Sequence, residues 1–138
     1  MDIRQATVQD KPQILELLKT LDLYYHDQPL NDFWVAEENG KIIGVVRLEE
    51  FPDFSFISSL GVLEVERKKG IASQLLKHLF ELTKKDLYLY TIIPDFFKKF
   101  GFQIPNSGLP TLPLKDTLEC SACSPGKCVT MVKFHNGA

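Results

Sequence analysis

The chain has 138 residues, a length typical of one domain with a single hydrophobic core. A hydrophobic fraction of 44%, a charged fraction of 25% and a net charge of −2 are ordinary for a globular protein, and they give no reason to expect general affinity for nucleic acid. No apolar stretch is long enough to span a membrane. Met1 to Arg4 show no basic region followed by an apolar run, so we expect no signal peptide and a cytoplasmic location.

The N-terminal segment predicts a strand followed by a helix. Asp2 to Gln5 form the strand. Thr7, with Asp10 three residues later, has the pattern of a capped helix start, and apolar residues then repeat at helical spacing. The helix is therefore predicted from about Val8 to Leu21.

The segment from Asp22 to Asp32 has no clear period and is predicted to be a loop. It is rich in aromatic residues, among them Tyr24 and Tyr25. These rings either cover the edge of the core or form a flap over a substrate pocket, since binding residues favour loops on a rigid scaffold. The second interpretation makes both tyrosines candidate substrate-binding residues.

Three strands are predicted next. Asn39-Gly40 separates two β-rich runs, Phe33–Glu38 and Lys41–Leu48, which is a strong hairpin signal. Phe54 to Val65 form the third strand of this antiparallel meander. Gly61 interrupts it, and an isolated strand glycine often marks a bulge or a close approach of another backbone or ligand.

The stretch from Arg67 to Ala72 is interpreted as a tight loop that opens a helix. Free amide groups and the positive end of the helix dipole meet at such a junction, so an anion such as a phosphate is its natural occupant. Gly70 permits unusual dihedrals and lets a ligand touch the backbone, and Ala72 keeps the next turn narrow. Positive charge at the mouth of the loop is added by Arg67, Lys68 and Lys69.

An amphipathic helix is predicted from Ile71 to Lys85, followed by shorter elements. Its buried face is predicted to consist of Ile71, Leu75, Leu76, Leu79, Phe80 and Leu82. Asp86 to Thr91 then form a strand, expected to lie parallel to its predecessor after a right-handed crossover. A short helix from Pro94 to Phe100 ends at Gly101. Further strands begin at Phe102 and span Val129 to Phe134.

This order of elements resembles that of the GNAT superfamily of N-acetyltransferases. Four stretches carry the resemblance, namely Ile3–Thr7 with Asp10, Val35–Gly44, Leu60–Ser73 with its Arg-x-x-Gly-x-Ala spacing, and Phe96–Phe102. The resemblance implies an α/β fold with a central mixed, mostly antiparallel sheet flanked by helices. It also implies that residues 1–138 form a single N-acetyltransferase domain with acetyl-CoA as co-substrate.

Two features are similar to the N-acetylglutamate-synthase-like subgroup. They are the segment Tyr90–Phe97 and the tail that runs from Leu112-Pro113-Leu114-Lys115 to Cys120-x-x-Cys123. This subgroup resemblance implies transfer to the α-amine of an amino acid such as glutamate. A similar aromatic helix and cysteine-containing tail also occur in arsenic-operon acetyltransferases.

The superfamily resemblance further implies which residues hold the co-substrate. Backbone groups of Leu60, Gly61 and Val62 would line the pantetheine arm and thioester, and the Val62 N–H would stabilise the oxyanion. The pyrophosphate would be held by Arg67, Lys68, Lys69, Gly70, Ile71, Ala72 and Ser73. Phe97 takes the position of the usual thiol-protonating tyrosine and cannot donate a proton. Tyr88, Tyr90 and Cys120 are the stand-ins for that donor.

Direct attack of an amine on the thioester also needs a proton acceptor. Glu49 is the favoured candidate, beside Glu50 and Glu37, although each is also readable as a solvated surface acid. Arg47, which alternates within an apolar strand, could pair with a substrate carboxylate or be an ordinary surface arginine.

Three cysteines lie within nine residues of the tail. The spacing Cys120-x-x-Cys123-x4-Cys128 is metal-like, but a fourth ligand is needed and His135 is the only nearby histidine. We therefore expect no metal and favour reduced thiols, with a disulfide left open under oxidation.

These observations predict an acetyl-CoA-dependent N-acetyltransferase that acts on the primary amine of a small molecule. Two alternatives stay open, a non-catalytic acyl-CoA-binding or regulatory module and a peptide or protein acetyltransferase. No nucleic-acid or membrane partner is expected, and a homodimer is compatible with the sequence.

Overall fold

The computed structural model describes residues 1–21, 23–24, 30, 32–66, 69–105, 110, 112 and 129–135. Six strands lie within this part of the chain: β1 Asp2–Gln5, β2 Phe33–Glu38, β3 Lys41–Glu50, β4 Phe54–Val62, β5 Asp86–Thr91 and β6 Val129–Lys133. The helices are α1 Lys11–Thr20, α2 Ile71–Leu82 and α3 Pro94–Lys98, with 3-10 turns at Val8–Asp10 and Glu64–Glu66. The strands form one mixed sheet in chain order, which confirms the predicted fold class. Among the described residues no helix is both long and apolar enough to cross a membrane.

The chain divides into two compact units. The first consists of Met1–Glu49 and Ile57–Leu82 and contains β1 to β3, most of β4, α1 and α2. The second consists of Glu50–Phe56 and Thr83–Ala138 and contains the start of β4, β5, α3 and β6.

The predicted hairpin of the first unit is confirmed. Strands β2 and β3 pair antiparallel, with Val35 opposite Val45. Asn39 and Gly40 both have positive φ, 53° and 81°, as a type I′ turn requires. Strand β1 pairs antiparallel with β2 on its other side.

The sequence predicts a helix from about Val8 to Leu21. The structure has a 3-10 turn at Val8–Asp10 and then α1 from Lys11 to Thr20. The Asp10 carboxylate accepts hydrogen bonds from the Thr7 N–H at 2.7 Å and the Thr7 hydroxyl at 3.0 Å. Its apolar face packs into a cluster with β2 and β3, which comprises Ile14, Leu17, Leu18, Phe33, Val35, Ile42 and Val45. These side chains are at most 4% exposed, and each contributes roughly 1.5–3 kcal/mol of burial free energy.

Helix α2 lies unusually close to β3. A Cβ on Gly44 would come within 3.1 Å of Ile71 Cγ2 and 3.2 Å of Leu75 Cδ1, so the position has little space for a side chain. Four of the predicted core residues of α2 are buried, namely Ile71, Leu75, Leu76 and Leu79. The prediction for Leu82 is wrong, because the helix ends there instead of at Lys85 and the leucine is 45% exposed.

The second unit is built on the antiparallel pair β5 and β6, in which Leu89 lies opposite Met131. Its buried cluster contains Phe54, Phe56, Tyr88 and Val132. The predicted strand at Phe102 is reduced to an isolated bridge, in which Gln103 and Val132 exchange backbone hydrogen bonds of 2.9 and 2.8 Å.

Candidate functional site

The junction between β4 and α2 belongs to the first unit. After β4, the Leu63 N–H donates to the Ile43 carbonyl at 2.9 Å, and the Glu66 N–H closes a turn onto the Leu63 carbonyl at 2.9 Å. The strand therefore ends at Val62, three residues before the predicted end. Helix α2 starts with a bond from the Gln74 N–H to the Gly70 carbonyl at 3.0 Å. The N–H groups of the first turn of α2, Ile71 to Ser73, have no acceptor within the helix itself, so a bound anion can accept hydrogen bonds from them.

Gly70 is required by its backbone conformation and not by crowding. Its φ is +78°, and apart from its chain neighbours no described residue has an atom within 4 Å of the position that a Cβ would occupy. Ala72 and Ser73 are partly exposed, whereas Ile71 is 4% exposed and its side chain belongs to the core. Ile71 can therefore contact a ligand through its backbone but not through its side chain.

Of the three basic residues at the mouth of this loop, the structure describes only Lys69. Its Nζ lies 3.0 Å from Glu66 Oε2, and the lysine side chain is 60% exposed. An exposed pair of this kind contributes at most about 1 kcal/mol, so the lysine can exchange Glu66 for another anion at little cost. Arg67 and Lys68 lie outside the described residues.

The close neighbours of Gly61 are leucine side chains of the chain itself and not the approaching backbone or ligand that the sequence predicts. A Cβ at this position would lie 2.6 Å from Leu21 Cδ1 and 2.8 Å from Leu23 Cδ1. Leucines that follow α1 therefore fill the side-chain space above Gly61. Leu60 is partly exposed and Val62 is 8% exposed.

The irregular backbone of β4 lies two residues before Gly61. Ser59 has a φ of +52°, which is uncommon for a residue other than glycine. Its neighbour Ser58 has a buried hydroxyl oxygen that has no hydrogen-bond partner among the described residues. Sequence analysis did not single out either serine, because an unexceptional residue type gives no signal of unusual backbone geometry.

Arg47, Glu49 and Asp32 form a small ionic cluster. Arg47 Nη2 lies 3.2 Å from Glu49 Oε1 and 3.4 Å from Asp32 Oδ2, and the three side chains are 11%, 20% and 37% exposed, respectively. Burial raises the pKa of Glu49; the charge of Arg47 opposes this effect and that of Asp32 adds to it. Glu49 is therefore a partly buried carboxylate with increased affinity for a proton.

The two other candidate bases have structural partners. Glu37 Oε2 accepts a hydrogen bond from Arg4 Nη2 at 3.1 Å in the first unit. In the second unit Glu50 Oε2 lies 2.6 Å from Lys85 Nζ and accepts the Ser55 hydroxyl at 3.0 Å.

Tyr24 is 38% exposed, and Lys19 Nζ lies 4.9 Å from the centre of its ring. The ring is thus accessible to a substrate but already has a cation beside it. Tyr25 lies outside the described residues.

Phe97 is a core residue of the second unit. It is 6% exposed, and its ring packs edge-on against Phe96 at 5.0 Å and Phe102 at 5.7 Å. Tyr88 is also 6% exposed and packs edge-on against Phe54; burial first, and Asp86 second, raise its pKa. A raised pKa makes Tyr88 a weaker proton donor.

Tyr90 packs edge-on against Phe56 at 4.9 Å in the same unit. Cys120, Cys123 and Cys128 lie outside the described residues. No group of three or more potential metal ligands occurs in the part of the chain that the structure describes.

Comparison with known proteins gives these features a context. A family model for the acetyltransferase (GNAT) domain matches residues 29–104, more than half of the chain. The matched region contains β2 to β5, the Gly70 loop, α2 and α3.

Solved structures agree in fold. N-acetylglutamate synthase from Neisseria gonorrhoeae, complexed with coenzyme A and N-acetyl-glutamate, superposes with a TM-score of 0.76 at 23% identity, over 96% of this chain and 34% of that chain. Our chain thus spans about a third of that synthase's length. Naa50 from Arabidopsis thaliana, in complex with the bisubstrate analogue CoA-Ac-MVNAL, gives 0.71 at 22% identity over 96% of this chain and 97% of that chain. PaiA N-acetyltransferase from Thermoplasma acidophilum, in complex with coenzyme A, gives 0.71 at 16% identity over 96% and 98%.

The fold and the match to the family model define the class as acetyltransferase (GNAT) domains. The chain belongs to the acetyltransferase (GNAT) family. Acetyl-CoA is the co-substrate of this family, as the sequence predicts.

Proposed function

We propose that this domain transfers the acetyl group of acetyl-CoA to the primary amine of a small molecule, such as the α-amine of an amino acid like glutamate. The observation that carries the proposal is the Gly70 junction, with its φ of +78° and open surroundings, in a chain that the GNAT family model matches. The amino acid acceptor is supported by the likeness to N-acetylglutamate synthase, which was solved with N-acetyl-glutamate.

In this proposal the backbone supplies most of the co-substrate site. Amide groups at the start of α2, from Gly70 to Ser73, bind the pyrophosphate together with Arg67, Lys68 and Lys69. Backbone groups of Leu60, Gly61 and Val62 hold the pantetheine arm and thioester. The Val62 N–H donates to the carbonyl oxygen as negative charge develops there. The predicted co-substrate contact of Phe97 stays a prediction, because its buried ring packs against Phe96 and Phe102 within the second unit.

The chemistry is a direct attack within a ternary complex. The amine nitrogen forms a bond to the thioester carbon, the carbon–sulfur bond breaks, and the thiolate leaves. Glu49 takes the proton from nitrogen, directly or through one water, because its raised pKa matches a general base better than an ordinary glutamate does. Phe97 offers no proton, so we expect a side-chain donor to be dispensable for departure of the thiolate.

Arg47 and Tyr24, with Tyr25, are the proposed acceptor contacts. The Arg47 guanidinium holds two carboxylates, Glu49 and Asp32, at 3.2 and 3.4 Å. A substrate carboxylate could replace the more exposed Asp32 and leave the Glu49 pair intact, and a guanidinium is well suited to that exchange.

The test is release of coenzyme A thiol from acetyl-CoA with a panel of amines, comprising L-glutamate, other amino acids and the peptide Met-Val-Asn-Ala-Leu. We expect turnover with at least one free amino acid and none with its N-acetylated form. Acetyl-CoA binding with no turnover on any amine would instead support a non-catalytic module.

A peptide acceptor is the second candidate. It is favoured by the match to Naa50, which covers 97% of that chain and was solved with an analogue that carries the residues MVNAL. Turnover of the peptide at a kcat/KM well above that of every amino acid would support it.

The cytoplasmic location and a homodimer stay predictions.

A further inference from the structure

Strand β4 contains three serines, and the hydroxyls of two of them, Ser55 and Ser58, differ in their hydrogen bonding. The Ser55 hydroxyl donates to Glu50 Oε2 at 3.0 Å and lies 3.4 Å from Thr83 Oγ1. Ser58, three residues later, has a buried Oγ for which the described part of the chain offers no hydrogen-bond partner. A buried hydroxyl that has lost its water without gaining a partner pays its full desolvation penalty, so such groups are rare and call for an explanation.

The next residue, Ser59, has an unfavourable backbone conformation. Ser59 is 7% exposed and has a φ of +52° within a strand, whereas the other non-glycine residue with positive φ in the described chain, Asn39, sits in a hairpin turn. Backbone strain of this kind clusters at sites where ligands bind. Two adjacent residues of β4 are thus held in unfavourable states, immediately before the segment Leu60–Val62.

We propose that the Ser58 hydroxyl contacts the acceptor amine in the ternary complex. Its oxygen accepts a hydrogen bond from the amino group and so gains the partner that it lacks in the free protein. Ser58 keeps its own proton throughout, and the proton released by the amine goes to Glu49 or water as described above. This inference rests on the proposed function, and it adds a substrate contact that orients the nucleophile.

The position along β4 favours the amine over the thioester. Backbone groups from Leu60 to Val62 are assigned to the thioester, and Ser58 lies on the opposite side of the Ser59 kink from them. Val62, whose N–H is assigned to the thioester oxygen, lies four residues from Ser58, roughly 13 Å along an extended strand. A hydrogen bond of about 2.9 Å to that oxygen and an approach of the nitrogen to within about 3–3.5 Å of the thioester carbon cover about half of this span. The serine side chain and its own hydrogen bond, about 2.9 Å long, cover most of the rest, so a nitrogen that attacks from the Ser58 side can lie within hydrogen-bond reach of Ser58 Oγ. A serine has three staggered χ1 rotamers, and Ser58 as a whole is only partly buried, so its hydroxyl can turn to meet a ligand.

The test compares Ser58→Ala with Ser55→Ala, a matched change in the same strand. For each protein we would measure kcat and KM for L-glutamate, or for Met-Val-Asn-Ala-Leu if that peptide is the better acceptor, together with the Kd of acetyl-CoA and the melting temperature. For Ser58→Ala we expect kcat/KM for the amine to fall about 3- to 10-fold, the effect of one neutral hydrogen bond, with the Kd of acetyl-CoA unchanged. Its melting temperature should equal or exceed that of the wild type, because the orphaned hydroxyl is gone.

Ser55→Ala should show the reverse pattern, a lower melting temperature with unchanged kinetics, because its hydroxyl has partners within the protein. The inference is overturned if Ser58→Ala retains the wild-type kcat/KM, if it lowers the melting temperature as Ser55→Ala does, or if the affinity for acetyl-CoA falls in parallel. If the wild type turns over no amine, the proposed function fails first and the Ser58 contact fails with it. Normal wild-type turnover with an unaffected Ser58→Ala variant removes the Ser58 contact alone.

Discussion

At the scale of single residues, hydrogen-bond partners and burial distinguish two structural glutamates from the one proposed as the general base. Glu37 and Glu50 each accept bonds from a cation, Arg4 at 3.1 Å and Lys85 at 2.6 Å, respectively. Glu49 also has a cation beside it, yet burial outweighs the arginine and raises its pKa. The sequence could nominate three glutamates, but it could not rank them, because desolvation and partners depend on residues distant in the chain.

We expect Glu49→Gln to lower kcat/KM for the amine about 100-fold or more, which is the range for loss of a general base. In the wild type, kcat/KM should rise with pH as Glu49 loses its proton, above the ordinary glutamate range. Steady-state kinetics between pH 5 and pH 9 check both expectations. The control is Glu38→Gln, the same charge change at an exposed position at the end of β2.

The Glu49→Gln substitution should lower activity, but it should raise the free energy of unfolding relative to the wild type as pH rises. Because its pKa in the folded state is raised, Glu49 contributes stability below the unfolded pKa, and that contribution is lost as pH rises through the folded pKa. Glu49→Gln should therefore gain stability relative to the wild type as pH increases from 4 to 8, measured by urea unfolding. A variant with wild-type activity would end the assignment of Glu49 as the base.

At the scale of elements, local patterns predicted much of the order and type, and errors arose where tertiary context decides. The Asn39-Gly40 hairpin and the Thr7–Asp10 helix start depend on neighbours in sequence, so they were predictable. The early end of β4, the exposure of Leu82 and the positive φ of Ser59 were not, because no residue type at those positions signals them. The phosphate-binding role of the Gly70 loop remains a prediction.

Two glycines make a matched test of that loop. Gly70 and Gly40 have φ values of +78° and +81°, and around each Cβ position the described residues, chain neighbours aside, place no atom within 4 Å. Glutamate at either site should cost about 1 kcal/mol of stability through strain alone. Only Gly70→Glu should also abolish the affinity for coenzyme A, because its carboxylate repels the pyrophosphate.

Isothermal titration calorimetry with coenzyme A, alongside urea unfolding, separates these effects. Gly40→Glu should bind as the wild type does despite its lower stability. Undiminished heat of binding in a folded Gly70→Glu protein would remove the loop from the site.

At the scale of the whole molecule, distant parts of the sequence are joined by a network around Asp10. Arg4 of β1 lies 2.7 Å from Asp10 at the start of the first helix and 3.1 Å from Glu37 of β2. The bonds from Arg4 come first, and those from Thr7 add to them, in holding the pKa of Asp10 well below its usual range. The sequence pattern predicted the contact between Thr7 and Asp10. It could not predict the contact between Arg4 and Asp10, because that contact depends on how β1 pairs with β2.

This network should make the fold sensitive to acid. A depressed pKa contributes stability above the unfolded pKa, and that contribution is lost as pH falls through the folded value. We expect Asp10→Asn to cost about 1.5–3 kcal/mol at pH 7, the range for hydrogen bonds to a charged group, and progressively less below about pH 4. Urea unfolding at pH 7 and pH 3 measures the difference. Asp2→Asn, at an exposed position of β1, is the control and should be nearly neutral at both pH values.

The close contact at Gly44 has a consequence for ligand affinity. Because that residue presents only hydrogen toward Ile71 and Leu75, these two side chains of α2 pack directly against the backbone of β3. The absence of one methyl group, 26 positions upstream of Gly70, thereby fixes the height at which the helix offers its amides. Relatives that differ at this position should differ in how tightly they hold a nucleotide, even where their loop sequences are identical.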